Sequence, residues 1–426
     1  MPPVDADGTA PSRPKLAYVF DPGSFAMLAL FEAARDLCDV VWVADTSRPE
    51  VATLAKMLRR LGTLVDVAGL STQDAAAAIA AEQPDGILSL ADDALCWTAD
   101  VGQLLGLSFH SSQTALRLTD KAAQRSALAD GGLTVPRSWI IDSTVPLEEL
   151  ATLDGVLGFP AVLKPRRGEG SRDTFPVGSF DELRAAVTAA LEDGLVRDLV
   201  VEEYIADAPG EVAGKGFAGY VSVESFVSAG RVCHLAVNGR TPPAYPFRET
   251  GFFIPSELGA LLEHDVLRVA EDAAHAVGVT TGCLHTEIKL TPSGPVVIEV
   301  NGRIGGGVPE MLAAATGERF LSIAMRLALG ESIAIDGPLH CDRVAYLLYV
   351  QAPPELRVVT AIEGLDELHA LDGVDEVVLR RGPGETVNWR EGNHGHVLSV
   401  FGTVSDHDEL RSVMALVGST LHIVGK

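Results

Sequence analysis

The stretch GCLHTEIKLTPSGPVVIEVNGRIGGG, residues 282–307, carries two carboxylates, an amide and an arginine at intervals suited to handling charge. LHTEIKL and PVVIEVN each alternate and TPSGP supplies a turn, so the segment reads as a β-hairpin. Folded symmetrically about Ser293, it sets Glu287 opposite Glu299 and His285 opposite Asn301. Period-2 alternation adds Lys289 and Val297 to that face and leaves Leu284, Thr286, Ile288, Leu290, Val296, Ile298 and Val300 on the other. Carboxylates opposed on a ladder have Cβ atoms roughly 5 Å apart and repel. Two arrangements would compensate: a divalent cation held by Glu287, Glu299 and the Asn301 amide oxygen, or Lys289 as an internal counter-ion.

Arg303 follows two residues after Asn301 and leaves the same side if the strand continues. Its planar fork suits a carboxylate or an acyl phosphate, with a salt bridge to a structural glutamate as the lesser alternative. GGGVPEMLAAA then reads as a glycine loop entering a helix with Pro309 in its first turn, so Gly305, Gly306 and Gly307 offer backbone N–H groups to a substrate carboxylate or an oxyanion.

A second loaded segment is GFPAVLKPRRGEGSRDTFPV, in which an apolar strand delivers Lys164 and a loop rich in Gly, Arg and Ser follows. Backbone N–H groups around Gly168, Gly170 and Ser171 can cradle phosphate oxygens beside the lysine charge. It is not a Walker A loop, because the lysine precedes the glycines. Further on, LVVEEYI ends a strand in paired acids, a loop carries Glu211, and YVSVESFV alternates as another strand.

The elements that must position these groups begin with KLAYVF, DPGSFAMLALFEAARDL and DVVWVAD, which read as strand, loop with helix, and strand, the start of a parallel α/β sheet. The DPGS loop lacks G-x-G-x-x-G, so a Rossmann-like domain without a nicotinamide cofactor is expected. Asp92 and Asp93 fall at the carboxyl end of the strand in PDGILSLADD, where either ligand binding or a helix N-cap accounts for them. SSQTALRLTDKAAQRSALADGG reads as a helical pair linking the first domain to the second, and residues 336–426 alternate strands and helices. His394 and His396 in EGNHGHV lack a third metal ligand at useful spacing, so loop polarity is the simpler reading.

A chain of 426 residues is long enough for two or three domains, and 47% hydrophobic with 21% charged residues is ordinary globular composition. The formal charge of −25 repels nucleic acid and anionic membrane surfaces, so neither is an expected partner. Five scattered cysteines without C-x-x-C spacing suggest no disulfide framework or zinc site and fit a reducing cytoplasm. The polar, Pro-rich N-terminus lacks an apolar core for a secretory signal, and no run approaches a membrane span.

The order of these parts resembles the ATP-grasp superfamily across roughly residues 1–335, and HTEIKL…VIEVNGR with YVSVESFV resembles its L-amino acid ligase branch, the dipeptide synthetases. The resemblance implies an α/β fold: a Rossmann-like domain over 1–112, an ATP-grasp domain with an antiparallel sheet over 113–335 with its lid at about 156–205, and a small α+β domain over 336–426. It implies that Lys121 in TDKAAQR and Lys164 contact the nucleotide and that the 168–173 loop covers its phosphates. Glu202, Glu203 and Ile205 would meet the adenine, Glu211 the ribose, and Glu287, Glu299 and Asn301 magnesium, with manganese as an alternative ion. The segment ending in Glu249 and Thr250 would line the acceptor pocket, where relatives place a histidine and this chain has Asn238, which is no base near neutral pH. The implied reaction joins a carboxylate and an amine through an acyl phosphate, with ADP released; small-molecule substrates and a homodimer go with it. A carboxylating or purine-pathway ATP-grasp enzyme, or a silent ATP-binding regulator, is the alternative.

Overall fold

The computed structural model describes residues 13–142, 147–192, 198–335 and 337–426. The expectation about the first twelve residues therefore lies outside the described residues, as do 193–197 of the expected lid. Near the start, Lys15–Val19, Asp39–Ala44, Thr63–Asp66 and Gly86–Leu88 form a parallel sheet in which Lys15–Val19 pairs with both Asp39–Ala44 and Gly86–Leu88. These strands are buried along most of their length, as strands covered by helices on both faces require. Their carboxyl ends carry the DPGS and LADD loops. Asp92 opens the helix Asp92–Leu105 and does not cap it: the N-cap is Ala91, without a side-chain bond.

The linking helices are Ser112–Thr119 and Lys121–Asp130. Asp120 between them accepts from the N–H groups of Ala122 and Ala123, which stops the first helix and starts the second with Lys121 at its first position. A four-stranded antiparallel sheet follows, in the order Ser138–Asp142, Asp198–Glu203, Ala161–Pro165, Phe175–Val177, covered by the helix Phe180–Glu192. The segment expected as the lid lies in this sheet, which adds Ser138–Asp142 to it and has its own core of Leu163, Val177, Leu183, Val187 and Val201.

The largest sheet has eight strands, in the order Gly294–Asn301, Gly282–Thr291, Tyr220–Ser228, Arg231–Arg240, Gly251–Ile254, Val344–Gln351, His396–Val404, Glu376–Leu379. It runs from the expected ATP-grasp region straight into residues 336–426, because Gly251–Ile254 pairs with Val344–Gln351. That boundary thus crosses a continuous sheet, and residue 336 itself is outside the described residues. The helices Val308–Thr316 and Phe320–Ala328 bury Met311, Phe320 and Met325 in a core shared with Trp42 and Leu88 of the first sheet and Leu30 of the helix Met27–Ala34, which fixes that sheet against the site.

The hairpin pairs His285 with Asn301 and Glu287 with Glu299, as the alternation predicts. A bulge then shifts the register, so Ile288 faces Val297 and Lys289 faces Val296. The expected faces are corrected accordingly: Val297 turns into the core beside Ile288 and Val300, and Ile298 joins Glu299 on the cleft side. Alternation alone gives no sign of the extra residue.

Candidate active site

Two cavities meet at the cleft side of the large sheet. One, of about 530 Å³, lies between the lid and the large sheet and is lined by Lys121, Lys164, the 168–172 loop, residues 202–205, Ile298 and Glu299. The other, of about 210 Å³, is lined by Asp21 and Ser24 of the DPGS loop, by Asp92, Arg303 and Gly305–Gly306, and by Tyr349 and His396 from the C-terminal part. Glu169, Gly170, Glu249, Glu287 and Asn393 line both.

In the first cavity Lys121 donates from Nζ to the Gly168 carbonyl at 2.7 Å and pairs with Glu299 Oε1 at 2.8 Å. Lys164 Nζ pairs with Glu202 Oε2 at 2.6 Å. Arg125 donates to the same carboxylate from Nε at 2.8 Å and from Nη2 at 3.1 Å, and also to the Ile298 carbonyl. Burial opposes ionisation of Glu202, but Lys164 and Arg125 win and hold its carboxyl at about 2. Burial in turn lowers the Lys164 ammonium against the pull of Glu202.

Glu203, one residue on, points the other way and is held by Arg137 and by the Gly158 N–H at 2.9 Å. Ile205 lines the cavity, whereas Glu211 is exposed and stands away from its lining. Asp207 occupies the rim instead, bonded to the Tyr204 hydroxyl at 3.1 Å and to Lys289 Nζ at 2.6 Å. Lys289 is therefore not the counter-ion of the facing carboxylates. Glu299 has Lys121, and Glu287 lies 3.5 Å from His285 Nε2. Burial works against Glu287, yet His285, Arg240 and Arg303 keep its carboxyl at about 2.

The glycine loop is closed onto the C-terminal part. Gly170 and Ser171 take positive φ of 63° and 57°. The Gly170 carbonyl accepts from Asn393 N at 2.7 Å, and Asp173 exchanges a backbone bond at 3.0 Å and a side-chain bond at 2.8 Å with Arg390. EGNHGHV, read from sequence as loop polarity, thus supplies walls to the site.

In the second cavity Arg303 donates from Nε to Asp92 Oδ2 at 2.8 Å and from Nη2 to Glu169 Oε2 at 2.9 Å, tying the first domain to the glycine loop. Burial raises the Asp92 carboxyl to about 6, Glu169 adding to it and Arg303 opposing it. Gly305 donates its N–H to Glu224 Oε2 at 3.2 Å, and a Cβ at Gly305 would meet His285 Nδ1 at 2.8 Å. Gly306 has open space around it, whereas Gly307 is the N-cap of Val308–Thr316 and packs on Leu347 away from the cavity.

Asn238 is corrected most sharply. It is 0% exposed and donates to Glu224 Oε1 at 2.8 Å and Ser222 Oγ at 3.1 Å, behind the cavity wall. Glu224, also 0% exposed, accepts from His285 at 2.5 Å, and it holds the His285 imidazole up at about 9 against the effect of burial. Asn301 is likewise buried, its amide donating to the His285 carbonyl at 3.5 Å. Glu249 does reach both cavities, clamped by Arg240, which is buried between the rings of Tyr220 and Phe252.

Sequence reading missed Arg125, Glu224, Arg240, Glu169 and Asn393. Arg125 was within reach, since it lies one helical turn after Lys121 on the same face. Glu224 was too, as a carboxylate mid-strand in YVSVESFV on the face of Tyr220 and Ser222. Asn393 sits in the short 3₁₀ segment Trp389–Gly395, 144 residues from its partner Glu249, and no local pattern marks it.

As to a metal, Glu287 and Glu299 face the first cavity from adjacent strands with side chains 24% and 19% exposed, a hard oxygen pair of the kind that suits magnesium. Among the described residues no group of three or more His, Cys, Asp or Glu forms a metal cluster by itself. Further oxygen ligands would thus come from phosphate or solvent.

Residues 157–310 match the ATP-grasp domain family. The chain is 27% identical over 342 residues to protein y4rH of Sinorhizobium fredii, covering 76% of this chain and 66% of that protein. It is 22% identical over 345 residues to an L-arginine-specific L-amino acid ligase of Bacillus subtilis, covering 80% of each. It is 32% identical over 187 residues to carnosine synthase 1 of Gallus gallus, 41% of this chain and 19% of that one. The L-amino acid ligase from Bacillus licheniformis superposes with a TM-score of 0.77 over 98% of this chain and 100% of its own, at 21% identity, which establishes a shared fold. With glycine loop and carboxylate hairpin closing on one cleft, residues 157–310 form an ATP-grasp domain, and the chain as a whole shares the fold of the L-amino acid ligase from Bacillus licheniformis.

Proposed function

We propose that the chain is an ATP-dependent ligase that joins a carboxylate to an amine, both from small molecules such as amino acids, through an acyl phosphate. The observation that supports this reading best is the meeting of the two cavities at Glu169, Gly170, Glu249, Glu287 and Asn393. A nucleotide in the larger would present its terminal phosphate at that junction to a carboxylate in the smaller.

Lys121 and Lys164 then take the phosphate charge, the Gly168–Ser171 backbone covers it, and the lid sheet with Ile205 and the Glu203 backbone holds the base. Magnesium at Glu287 and Glu299 would neutralise charge on the transferring phosphoryl group. Arg303, with the N–H group of Gly306, orients the substrate carboxylate and faces the oxyanion that forms when the amine attacks, while the Gly305 N–H stays on Glu224. The carboxylate oxygen displaces ADP from the terminal phosphorus. The amine nitrogen then bonds to the carbonyl carbon, the carbon–oxygen bond to phosphate breaks, and phosphate leaves with the electron pair. Glu249, which lines both cavities, is placed to take the amine proton. The closed loop keeps water from the acyl phosphate.

The test is a screen of amino-acid pairs with ATP and magnesium that measures ADP and analyses products by mass. An adduct of the two amino acids less one water, formed in step with ADP, is expected. Failure of every carboxylate to elicit ADP would defeat the proposal.

A further inference from the structure

Asn393 occupies a position that neither the nucleotide-binding elements nor the hairpin explains. Its backbone N–H donates to the Gly170 carbonyl at 2.7 Å, on the loop over the first cavity. Its side-chain Oδ1 accepts from the Glu249 N–H at 2.8 Å, on the segment that walls the second. It lines both cavities. The strand Val344–Gln351 reinforces the Glu249 segment: Gln351 Nε2 donates to the Glu249 carbonyl at 2.7 Å, so both backbone groups of Glu249 are held from the C-terminal part.

The approach of this segment to the glycine loop is too close for a side chain. Gly392 has φ +61°, and a Cβ there would meet the Gly170 carbonyl oxygen at 2.1 Å and the Arg172 nitrogen at 2.7 Å. Those obstacles are backbone and cannot swing aside. Arg390 and Asp173 lock the same two segments one turn away. The glycine loop can therefore sit in this position only when residues 390–393 are in register with it, and the same residues then fix Glu249.

We propose that Asn393 is a positioning residue that ties closure of the loop over the phosphates to alignment of the Glu249 segment, so that acyl phosphate forms only where the amine can meet it. This rests on the ligase reading above. Without the tie, the loop would close over a misaligned acceptor wall, and acyl phosphate would be lost to water instead of amine.

Two measurements test it. In Asn393→Ala, amide formed per ADP released should fall roughly two- to tenfold, the size of one neutral hydrogen bond, while ADP release falls less. Hydroxylamine serves as a small acceptor that needs no alignment, and the hydroxamate formed per ADP should stay near the wild-type value. An unchanged amide-to-ADP ratio, or amide and ADP falling in proportion, overturns the proposal. The second measurement needs no turnover. Limited proteolysis of residues 168–173 is compared with and without a non-hydrolysable ATP analogue, in wild type and Gly392→Ala. Protection in wild type that is lost in Gly392→Ala is expected, and equal protection in both, or none in wild type, refutes the tie between the glycine loop and residues 390–393. If wild type yields no ADP with any amino-acid pair, the ligase reading fails, while the proteolysis still decides whether that tie exists.

Discussion

Glu202 is expected to be the most sensitive single charge in the lid. It is 3% exposed, and its two oxygens are shared among Lys164 at 2.6 Å and Arg125 at 2.8 and 3.1 Å. Displacement of its carboxyl from 4.5 to about 2 corresponds to roughly 3 kcal/mol in favour of the ionised form. Glu202→Gln keeps the shape and removes the charge, leaving a buried lysine and a buried arginine facing each other. Breaking one side of a buried pair costs about 3–5 kcal/mol, so the two routes to the magnitude agree. Urea unfolding at neutral pH should show a loss in that range. The folded-state value is depressed, so the stabilisation is present above pH 4.5 and is lost only as pH falls toward about 2; at pH 5 the variant should remain as far below wild type as at pH 7. A loss under about 1 kcal/mol at neutral pH would refute the claim that this carboxylate holds the two cations together.

Glu287→Gln and Glu299→Gln should each abolish ADP formation while the chain stays folded, checked by turnover and circular dichroism; near-normal turnover with higher thermal stability would mark the pair as structural. Arg303→Lys should reduce amide formation by about 3 kcal/mol in the transition state, because a point charge cannot hold Asp92 and Glu169 from two fork positions and still face an oxyanion. Burial alone lowers the His110 imidazole to about 4, so the folded chain should lose stability as pH falls from 6.5 toward 4, where the unfolded chain binds the extra proton; His110→Phe should flatten that slope in denaturant titrations.

Much of the site was legible because its chemistry sits on strands, where period 2 fixes direction. Glu287 opposite Glu299, and Lys164 delivered from a strand into the cleft, follow from alternation and turn residues. The bulge at Ile298 was not legible, since an unpaired residue changes facing without changing composition. Asn238 was placed at the acceptor pocket by the resemblance and not by alternation, and Glu224 and Ser222 on the neighbouring strand hold its amide instead. Glu211 sits in the irregular loop before Tyr220, where no period assigns a direction, and Asp207 holds the rim instead. The contribution of residues 390–396 depends on eight strands aligning into one sheet, a long-range outcome that no local window contains.

The most direct test of the acyl-phosphate route uses a substrate amino acid labelled with ¹⁸O in its carboxylate, turned over with ATP and an amine acceptor. If the carboxylate attacks the terminal phosphorus, one label leaves with inorganic phosphate, the nucleotide product is ADP, and the amide keeps the other label. Label recovered in AMP, with pyrophosphate as the second product, would contradict the assignment of the whole cleft from Lys121 to Arg303.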